Sequence, residues 1–203
     1  MRVLGLDTTG AYCSVALVDT AKVLAYKSEN IGRGHAERLA PMVAEVLEAA
    51  GLAAKDIDKI SVCTGPGSFT GLRVALAFAK GFALPRKLPV VGLSSLQVWA
   101  AQADPEGEKK VISIADVRRG ELCWSAVFNG QAAEGSITQK AEAAREMIAG
   151  LNPDIIIEDD IVDARRLAWL GAELSPADYP AQPLYSRGPD AKLPGGITPT
   201  SPT

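Results

Sequence analysis

Apolar residues fall into two alternating patterns along this chain: short continuous runs, and longer segments with helical spacing. Short apolar runs bounded by glycine or polar turns are typical of strands, and apolar positions recurring every three or four residues are typical of amphipathic helices. In the first half these patterns predict strands at 3–7, 13–18, 23–26, 57–63 and 90–92, and helices at 36–50, 70–84 and 95–103. The alternation indicates an α/β fold that opens with a hairpin.

The second half repeats the order of the first. A strand, an acid, a turn and a strand at 111–128 are followed by a helix at 140–149, a strand at 154–158 and a helix at 162–172. At an offset of about 110 residues, Asp7 corresponds to Asp116 and Cys13 to Cys123. A repeat of this kind is the pattern of the duplicated, two-lobed actin and sugar-kinase architecture.

A polar stretch with proline and glycine at 104–107 marks the predicted boundary between the lobes. We therefore expect a first lobe at 1–103, a second lobe at 108–190 and a flexible tail at 191–203. The second lobe is degenerate, because Glu158-Asp159-Asp160 stands where the first lobe has a glycine loop. Three carboxylates repel phosphate unless a metal intervenes, so we do not expect a standard two-lobed ATP clamp.

The glycine loop at 64–73 joins a predicted strand to a predicted helix, with Ser68 or Thr70 as the expected N-cap. Gly65, Gly67 and Gly71 allow backbone conformations that other residues avoid, and amide groups near a helix start attract anions. The loop therefore predicts either a phosphate cradle or a tight turn that lets the helix pack closely on the sheet. Neither G-x-G-x-x-G nor G-x-x-x-x-G-K-[ST] is present.

An acid followed by two hydroxyls, Asp7-Thr8-Thr9, ends the first strand. Such a group can hold a magnesium ion facing a phosphate, or the acid can simply accept hydrogen bonds from the turn amides. Both interpretations stay open. The candidate vestigial nucleotide or phosphate site comprises Asp7, Thr8, Thr9, Gly65, Gly67, Ser68 and Gly71.

The helix predicted at 70–84 is apolar nearly all round, since only Arg73 and Lys80 interrupt it. A sheet can cover one face of such a helix, and each large apolar side chain left exposed on the other would forgo roughly 1.5–3 kcal/mol. We therefore expect this helix to form a protein–protein interface.

Composition and charge exclude several classes of function. A net charge of −3, with 21 basic and 24 acidic residues, argues against a protein that binds nucleic acid on its own. The three cysteines lie in apolar runs without C-x-x-C spacing, as expected for buried thiols in a reducing compartment. His35 is the single histidine, so no metal-binding histidine pair can form. Without a visible signal peptide or membrane span, we expect a cytoplasmic protein.

Several motifs together resemble the TsaB family, bacterial proteins of tRNA threonylcarbamoyladenosine biosynthesis formerly described as glycoprotease-like. The motifs are Leu6-Asp7-Thr8-Thr9 with Ser14-Val15-Ala16-Leu17, His35-Ala36-Glu37-Arg38-Leu39 before Pro41, the decapeptide at 64–73, Asp116 with Arg119-Gly120-Glu121, and Pro183-Leu184-Tyr185 with Arg187. The resemblance runs over nearly the whole chain before the tail, and the decapeptide is its most specific part.

The resemblance implies a non-catalytic subunit with an actin-like fold. It implies pairing with a TsaD-like catalytic subunit, joined by a TsaE-like ATPase, in the complex that transfers threonylcarbamoyl to the adenosine beside the anticodon of tRNAs reading codons that start with A. ATP and metal are used by those partners, so no cofactor is expected to bind this chain tightly. The resemblance also implies that this chain contacts tRNA only within the complex and does not associate with membranes.

The implied interface uses the two long helices of the first lobe, and a homodimer through the same surface is expected when the partner is missing. The interface residues mapped onto this chain are Leu39, Met42, Val43, Val46, Leu72, Arg73, Leu76, Ala79, Lys80 and Phe82. The alternative function is an ATP-dependent small-molecule kinase or phosphotransferase acting through Asp7 and the glycine loop. No protease activity is expected, because paired histidines are absent.

Overall fold

The fold was analysed in a computed structural model, which describes residues 1–128, 131–132 and 135–186. The predicted tail at 191–203 and Arg187 lie outside these residues. The first half contains five strands and three helices in the order β1 Val3–Asp7, β2 Tyr12–Val18, β3 Val23–Asn30, α1 His35–Ala49, β4 Lys59–Cys63, α2 Phe69–Ala83, β5 Val90–Leu93 and α3 Ser95–Ala103. The second half follows as β6 Val111–Asp116, β7 Glu121–Phe128, β8 Gln131–Ala132, β9 Ile137–Lys140, α4 Ala141–Gly150, β10 Ile155–Glu158 and α5 Ala164–Glu173.

The first sheet has the strand order β3-β2-β1-β4-β5. The opening hairpin pairs β1 with β2 and then β2 with β3, all antiparallel, while β4 and β5 add in parallel on the other side of β1. Every residue of β1 and β4 is buried, as expected for central strands covered by helices on both faces.

The second sheet repeats four of these five positions. Its order is β10-β6-β7-β8, with β10 parallel to β6, β7 antiparallel to β6, and β9 also paired with β7. Strands β6, β7 and β10 thus correspond to β1, β2 and β4, and among the described strands none corresponds to β5. This repeat is the duplicated actin-like fold with a reduced second lobe, as the sequence predicted.

Helices cross between the two halves of the chain. Helices α1 and α2 pack on one face of the first sheet, and α5, from the second half, packs on the other. In return α3, from the first half, contacts β6, β7 and β10 of the second sheet. The approach of α5 is close: a Cβ on Gly5 would lie 2.3 Å from the carbonyl oxygen of Ala164, and one on Gly171 would lie 2.2 Å from Ser61 Oγ.

Two helices have serine N-caps, of which the sequence predicted Ser68. Ser68 caps α2 and Ser94 caps α3, the latter in a capping box with Gln97. The sequence pattern ended β3 too early, at 26, because residues 27–30 are polar; the strand continues to Asn30 and pairs with β2 along that length. Beyond α5, Pro180 forms a bridge with Val91 at the edge of the first sheet.

Most of the predicted interface side chains face the chain's own core. Seven of the ten are buried: Leu39, Met42, Val43, Val46, Leu72, Leu76 and Ala79. The apolar stripes of α1 and α2, which contain these seven residues, pack against the first sheet and against each other. The partner interface itself stays a prediction. Arg73 and Lys80 are exposed and Phe82 is half-buried, so these three alone of the ten reach the surface.

Candidate functional site

A cleft of about 930 Å³ lies between the two lobes. From the first lobe its walls comprise the turn after β1, the start of α1 and the glycine loop. The second lobe contributes Asp116, Val117 and Arg118 and the segment 159–162. The cleft therefore brings together both acid-bearing turns that the sequence repeat predicted.

Asp7 is buried beneath the cleft, with 2% of its surface exposed. Its Oδ1 accepts hydrogen bonds from the Thr9 amide at 3.1 Å and from the Thr9 hydroxyl at 2.7 Å. Burial raises the pKa of Asp7, and the two hydrogen bonds from Thr9 oppose that shift. These contacts match the interpretation in which the acid organises its own turn.

The glycine loop is pressed against the Thr8–Thr9 turn. The Ser68 amide donates to the Thr9 carbonyl at 2.7 Å, and the Thr8 hydroxyl donates to the Gly71 carbonyl at 2.6 Å. A Cβ on Gly67 would lie 2.5 Å from the Thr9 carbonyl oxygen, and one on Gly71 would lie 1.8 Å from that of Thr8. Glycine is needed at both positions because two backbone segments touch there.

This packing uses amide groups that a phosphate would need. Besides the Ser68 amide, the Gly71 amide donates to the Ser68 hydroxyl in the N-cap, at 3.3 Å. Behind the loop, Ser95 donates its amide to the Gly65 carbonyl and its hydroxyl to the Pro66 carbonyl. The loop is therefore held from both sides by the chain itself and resembles a tight turn more than an open anion cradle.

The acids of the second lobe are also engaged locally. Asp116 accepts a hydrogen bond from the Arg118 amide, and Asp159 accepts one from the Asp116 amide. Glu158, the first acid of the predicted run, pairs instead with Arg145 of α4 at 2.7 Å, which lowers its pKa. Only Asp159 and Asp160 of that run line the cleft.

His35 is the first residue of α1 and lines the cleft, with its Nε2 buried and unpartnered within the described structure. No group of three or more His, Cys, Asp or Glu side chains among the described residues is arranged to hold a metal ion. Arg33 and Trp99 also line the cleft, although no sequence motif points to them. Trp99 sits in an apolar helix pattern that gives no functional signal, and Arg33 sits in a glycine-flanked loop.

The outer surface of α1 and α2 is built from small residues. Ala36, Ala40 and Ala44 are exposed at four-residue spacing along α1. On α2 the exposed positions include Ala77 and Gly81, and a Cβ on Gly81 would meet nothing within 4 Å. We call the surface formed by Ala36, Ala40, Ala44, Ala77 and Gly81 the outer α1–α2 face. Its side chains are small enough for close approach of another helix, and none of the described residues covers it.

Comparisons with known proteins agree with this architecture. The family model described as "TsaD: tRNA N6-adenosine threonylcarbamoyltransferase" matches residues 23–159. The tRNA threonylcarbamoyladenosine biosynthesis protein TsaB of Escherichia coli K12 is 39% identical over 126 residues, which is 62% of this chain and 54% of that protein. The chain thus spans about half the length of the curated TsaB proteins it matches.

Other similarities extend over most of the chain. An uncharacterised protein of Mycobacterium tuberculosis H37Rv is 31% identical over 201 residues, covering 94% of this chain and 93% of that protein. The solved structure of YeaZ from Pseudomonas aeruginosa superposes with a TM-score of 0.73 at 26% identity and covers 91% of this chain and 99% of its own. Of the helices in the described part of the chain, none has the length and apolar character needed to cross a membrane. The matched family model, the curated relatives and the shared fold together establish that this chain belongs to the TsaB family.

Proposed function

We propose that this chain is a non-catalytic subunit of the complex that adds the threonylcarbamoyl group to the adenosine next to the anticodon of tRNAs reading codons that start with A. The names of its curated relatives support the tRNA-modification role. The proposal that the chain is non-catalytic rests on the hydrogen bond from the Ser68 amide to the Thr9 carbonyl. This bond ties the glycine loop to the turn after β1 and uses an amide that a phosphate would need. Within this role, ATP and metal belong to the partner subunits and the complex acts in the cytoplasm.

The proposed partners are a TsaD-like catalytic subunit and a TsaE-like ATPase, with tRNA bound only by the assembled complex. We place the TsaD-like subunit on the outer α1–α2 face. In its absence a second copy of this chain covers the same face. Exposed Ala77 and Gly81 support this placement, since small residues let two helix backbones approach closely. The exposed residues thus replace the buried ones as the proposed contacts.

Reconstitution with purified subunits tests the role. This chain, a TsaD-like subunit, a TsaE-like ATPase and the carbamoyl-adenylate synthetase are incubated with ATP, threonine, bicarbonate and a tRNA transcript, and modified adenosine is measured by mass spectrometry. We expect modification with the full set and none when the TsaD-like subunit is omitted. Modification by this chain without the TsaD-like subunit would contradict the proposal, as would micromolar Mg-ATP binding by this chain that Asp7→Ala abolishes.

A matched pair of variants tests the interface within the same experiment. Gly81→Arg places a long side chain on the outer α1–α2 face, at a position where a Cβ would meet no described atom within 4 Å. We expect it to weaken binding of the TsaD-like subunit at least about tenfold. Ala143→Arg, at an exposed position of α4, is the control and should bind normally. Equal binding by both variants would show that the face is not used.

A further inference from the structure

Charge is strongly segregated along the chain. All 24 acidic residues lie outside 59–103, whereas this segment contains Lys59, Arg73, Lys80, Arg86 and Lys87. Two of these cations serve the fold, because Lys59 donates to the carbonyls of Ala172 and Leu174 and Arg86 donates to those of Ala54 and Ile57. Arg73, Lys80 and Lys87 remain on the surface. A chain of net charge −3 thus presents three exposed cations and no acid along α2 and the turn after it, and we call these three cations the basic surface of α2.

Two exposed aromatic rings lie at one end of this basic surface. Phe69, the first residue of α2, is 52% exposed and Tyr185 is 46% exposed. Their ring centroids are 5.4 Å apart, and the Arg73 guanidinium lies 3.8 Å from the Phe69 centroid. Arg73 Nε also donates to the Tyr185 hydroxyl at 3.4 Å. We call these three residues the aromatic–arginine cluster.

The guanidinium in this cluster has no acidic partner within the described structure. Two other surface arginines differ: Arg165 lies over the Tyr26 ring but pairs with Asp163, and Arg145 pairs with Glu158. Among the described residues, Arg73 has side-chain contacts only with the two rings. Its charge is therefore available to an anion from another molecule.

We propose that the aromatic–arginine cluster binds an unpaired nucleotide of the tRNA, with the base stacking on Phe69 or Tyr185 and a phosphate contacting Arg73. Exposed aromatic faces stack bases of any sequence, and arginine adds both a planar stacking surface and a phosphate contact. Lys80 and Lys87 extend the positive potential along the path of the backbone. The proposal rests on the function proposed above, since tRNA is the substrate of that complex.

A protein partner is the main competing occupant, because exposed aromatic and arginine side chains are also common centres of protein interfaces. The local charge favours RNA: the whole segment 59–103 lacks acids, and a polyanion gains from every uncompensated cation. The cluster could instead only stabilise the fold, with Tyr185 holding residues 179–185 against α2. That role would explain the ring contacts but not the unpaired charge of Arg73.

Binding of an unmodified tRNA transcript to the preassembled complex of this chain and the TsaD-like subunit tests the proposal. Phe69→Ala and Tyr185→Ala should each weaken tRNA binding by on the order of 5- to 100-fold, the range expected for one lost base stack. Phe69→Trp keeps an aromatic face and should retain wild-type affinity. Tyr26→Ala, which removes the acid-paired tyrosine–arginine contact, is the control and should bind normally.

Salt dependence isolates the phosphate contact. Arg73→Gln should lower the slope of log affinity against log salt by about one. Arg145→Gln is the control and should leave the slope unchanged, because Arg145 is already paired with Glu158. Unchanged tRNA binding by Phe69→Ala and Tyr185→Ala overturns the proposal. Weaker binding of the TsaD-like subunit by the same variants, with unchanged tRNA affinity of the complex once it is assembled at saturating subunit concentration, assigns the cluster to the protein interface and also overturns the proposal.

The two proposals can fail separately. A wild-type complex that modifies tRNA while the cluster variants bind tRNA normally would overturn the RNA contact and leave the function standing. If the wild-type subunits neither formed a complex nor bound tRNA, both proposals would be overturned.

Discussion

At the scale of single residues, Asp7 is buried in a site that does not favour its charge. The hydrogen bonds from the Thr9 amide and hydroxyl both go to Oδ1, and no basic side chain pairs with the carboxyl among the described ion pairs. Since burial raises the pKa of Asp7, the folded state holds a proton more tightly than the unfolded chain does. The free energy of unfolding therefore falls as the pH rises from the unfolded pKa of about 3.8 towards the higher folded value.

Asp7→Asn should remove this dependence while keeping an oxygen that accepts both bonds from Thr9. We expect the variant to be more stable than the wild type near neutral pH, and the difference to shrink as the pH is lowered towards about 4. Urea unfolding across this pH range measures both quantities. A variant that is less stable than the wild type at neutral pH would show that the carboxylate charge is compensated by a contact other than those from Thr9.

At the scale of elements, α2 contains two glycines with opposite surroundings. Gly71 is buried against the Thr8 carbonyl, where a Cβ would lie 1.8 Å away, whereas Gly81 faces open space. Gly71→Ala should lower the free energy of unfolding by at least about 2 kcal/mol, because backbone must move to admit the methyl group. Gly81→Ala should raise it by about 0.5–1 kcal/mol, since alanine favours the helix more than glycine does.

Chemical denaturation of the two alanine variants, each against the wild type, checks these signs. The two changes are chemically identical and lie in one helix, so any difference between them reports surroundings and not helix propensity. Destabilisation by Gly81→Ala would mean that the described surface of α2 is covered by some part of the chain. It would also remove the basis for placing a partner there.

The same helix shows how far the sequence could predict the structure. The bounds and N-cap of α2 follow from the glycine loop, Ser68 and the apolar run, all of which are local signals. Which face is buried does not follow, because α2 carries apolar residues all round. In the structure Leu72 and Leu76 face inwards, whereas Ala77 and Gly81 face outwards.

Strand β3 was under-predicted for a related reason. Its polar end carries Lys27 and Glu29, which form ion pairs with Glu45 and Arg38 of α1. Those partners are distant in sequence, so the alternation that marks a strand is hidden until the tertiary contact is known. The aromatic–arginine cluster was missed likewise, because Phe69 and Tyr185 meet only in the folded chain.

At the scale of the whole molecule, the exchange of α3 and α5 ties the two halves together. Helix α5 covers β1, β2 and β4 of the first sheet, and Ala168 packs on Val3 and Val18. Without α5 these strands would expose one apolar face, and without α3 the second sheet would expose another. The repeated sequence suggests two units, yet each unit is completed by a helix from the other.

We therefore expect a single cooperative unfolding transition, which the three tryptophans can report separately. Trp169 in α5 donates to the Asp19 carbonyl of the first half, Trp124 lies in β7 of the second sheet, and Trp99 lies in α3. Labelled with 5-fluorotryptophan, all three should lose their native fluorine resonances over the same range of denaturant. Gly171→Ala, which forces a Cβ towards Ser61, should lower all three midpoints together, while Gly150→Ala, at the end of α4 with open space around it, should lower none of them. If the Trp124 resonance survived after that of Trp169 was lost, the second sheet would be stable alone and the exchanged helices would be contacts between independent domains.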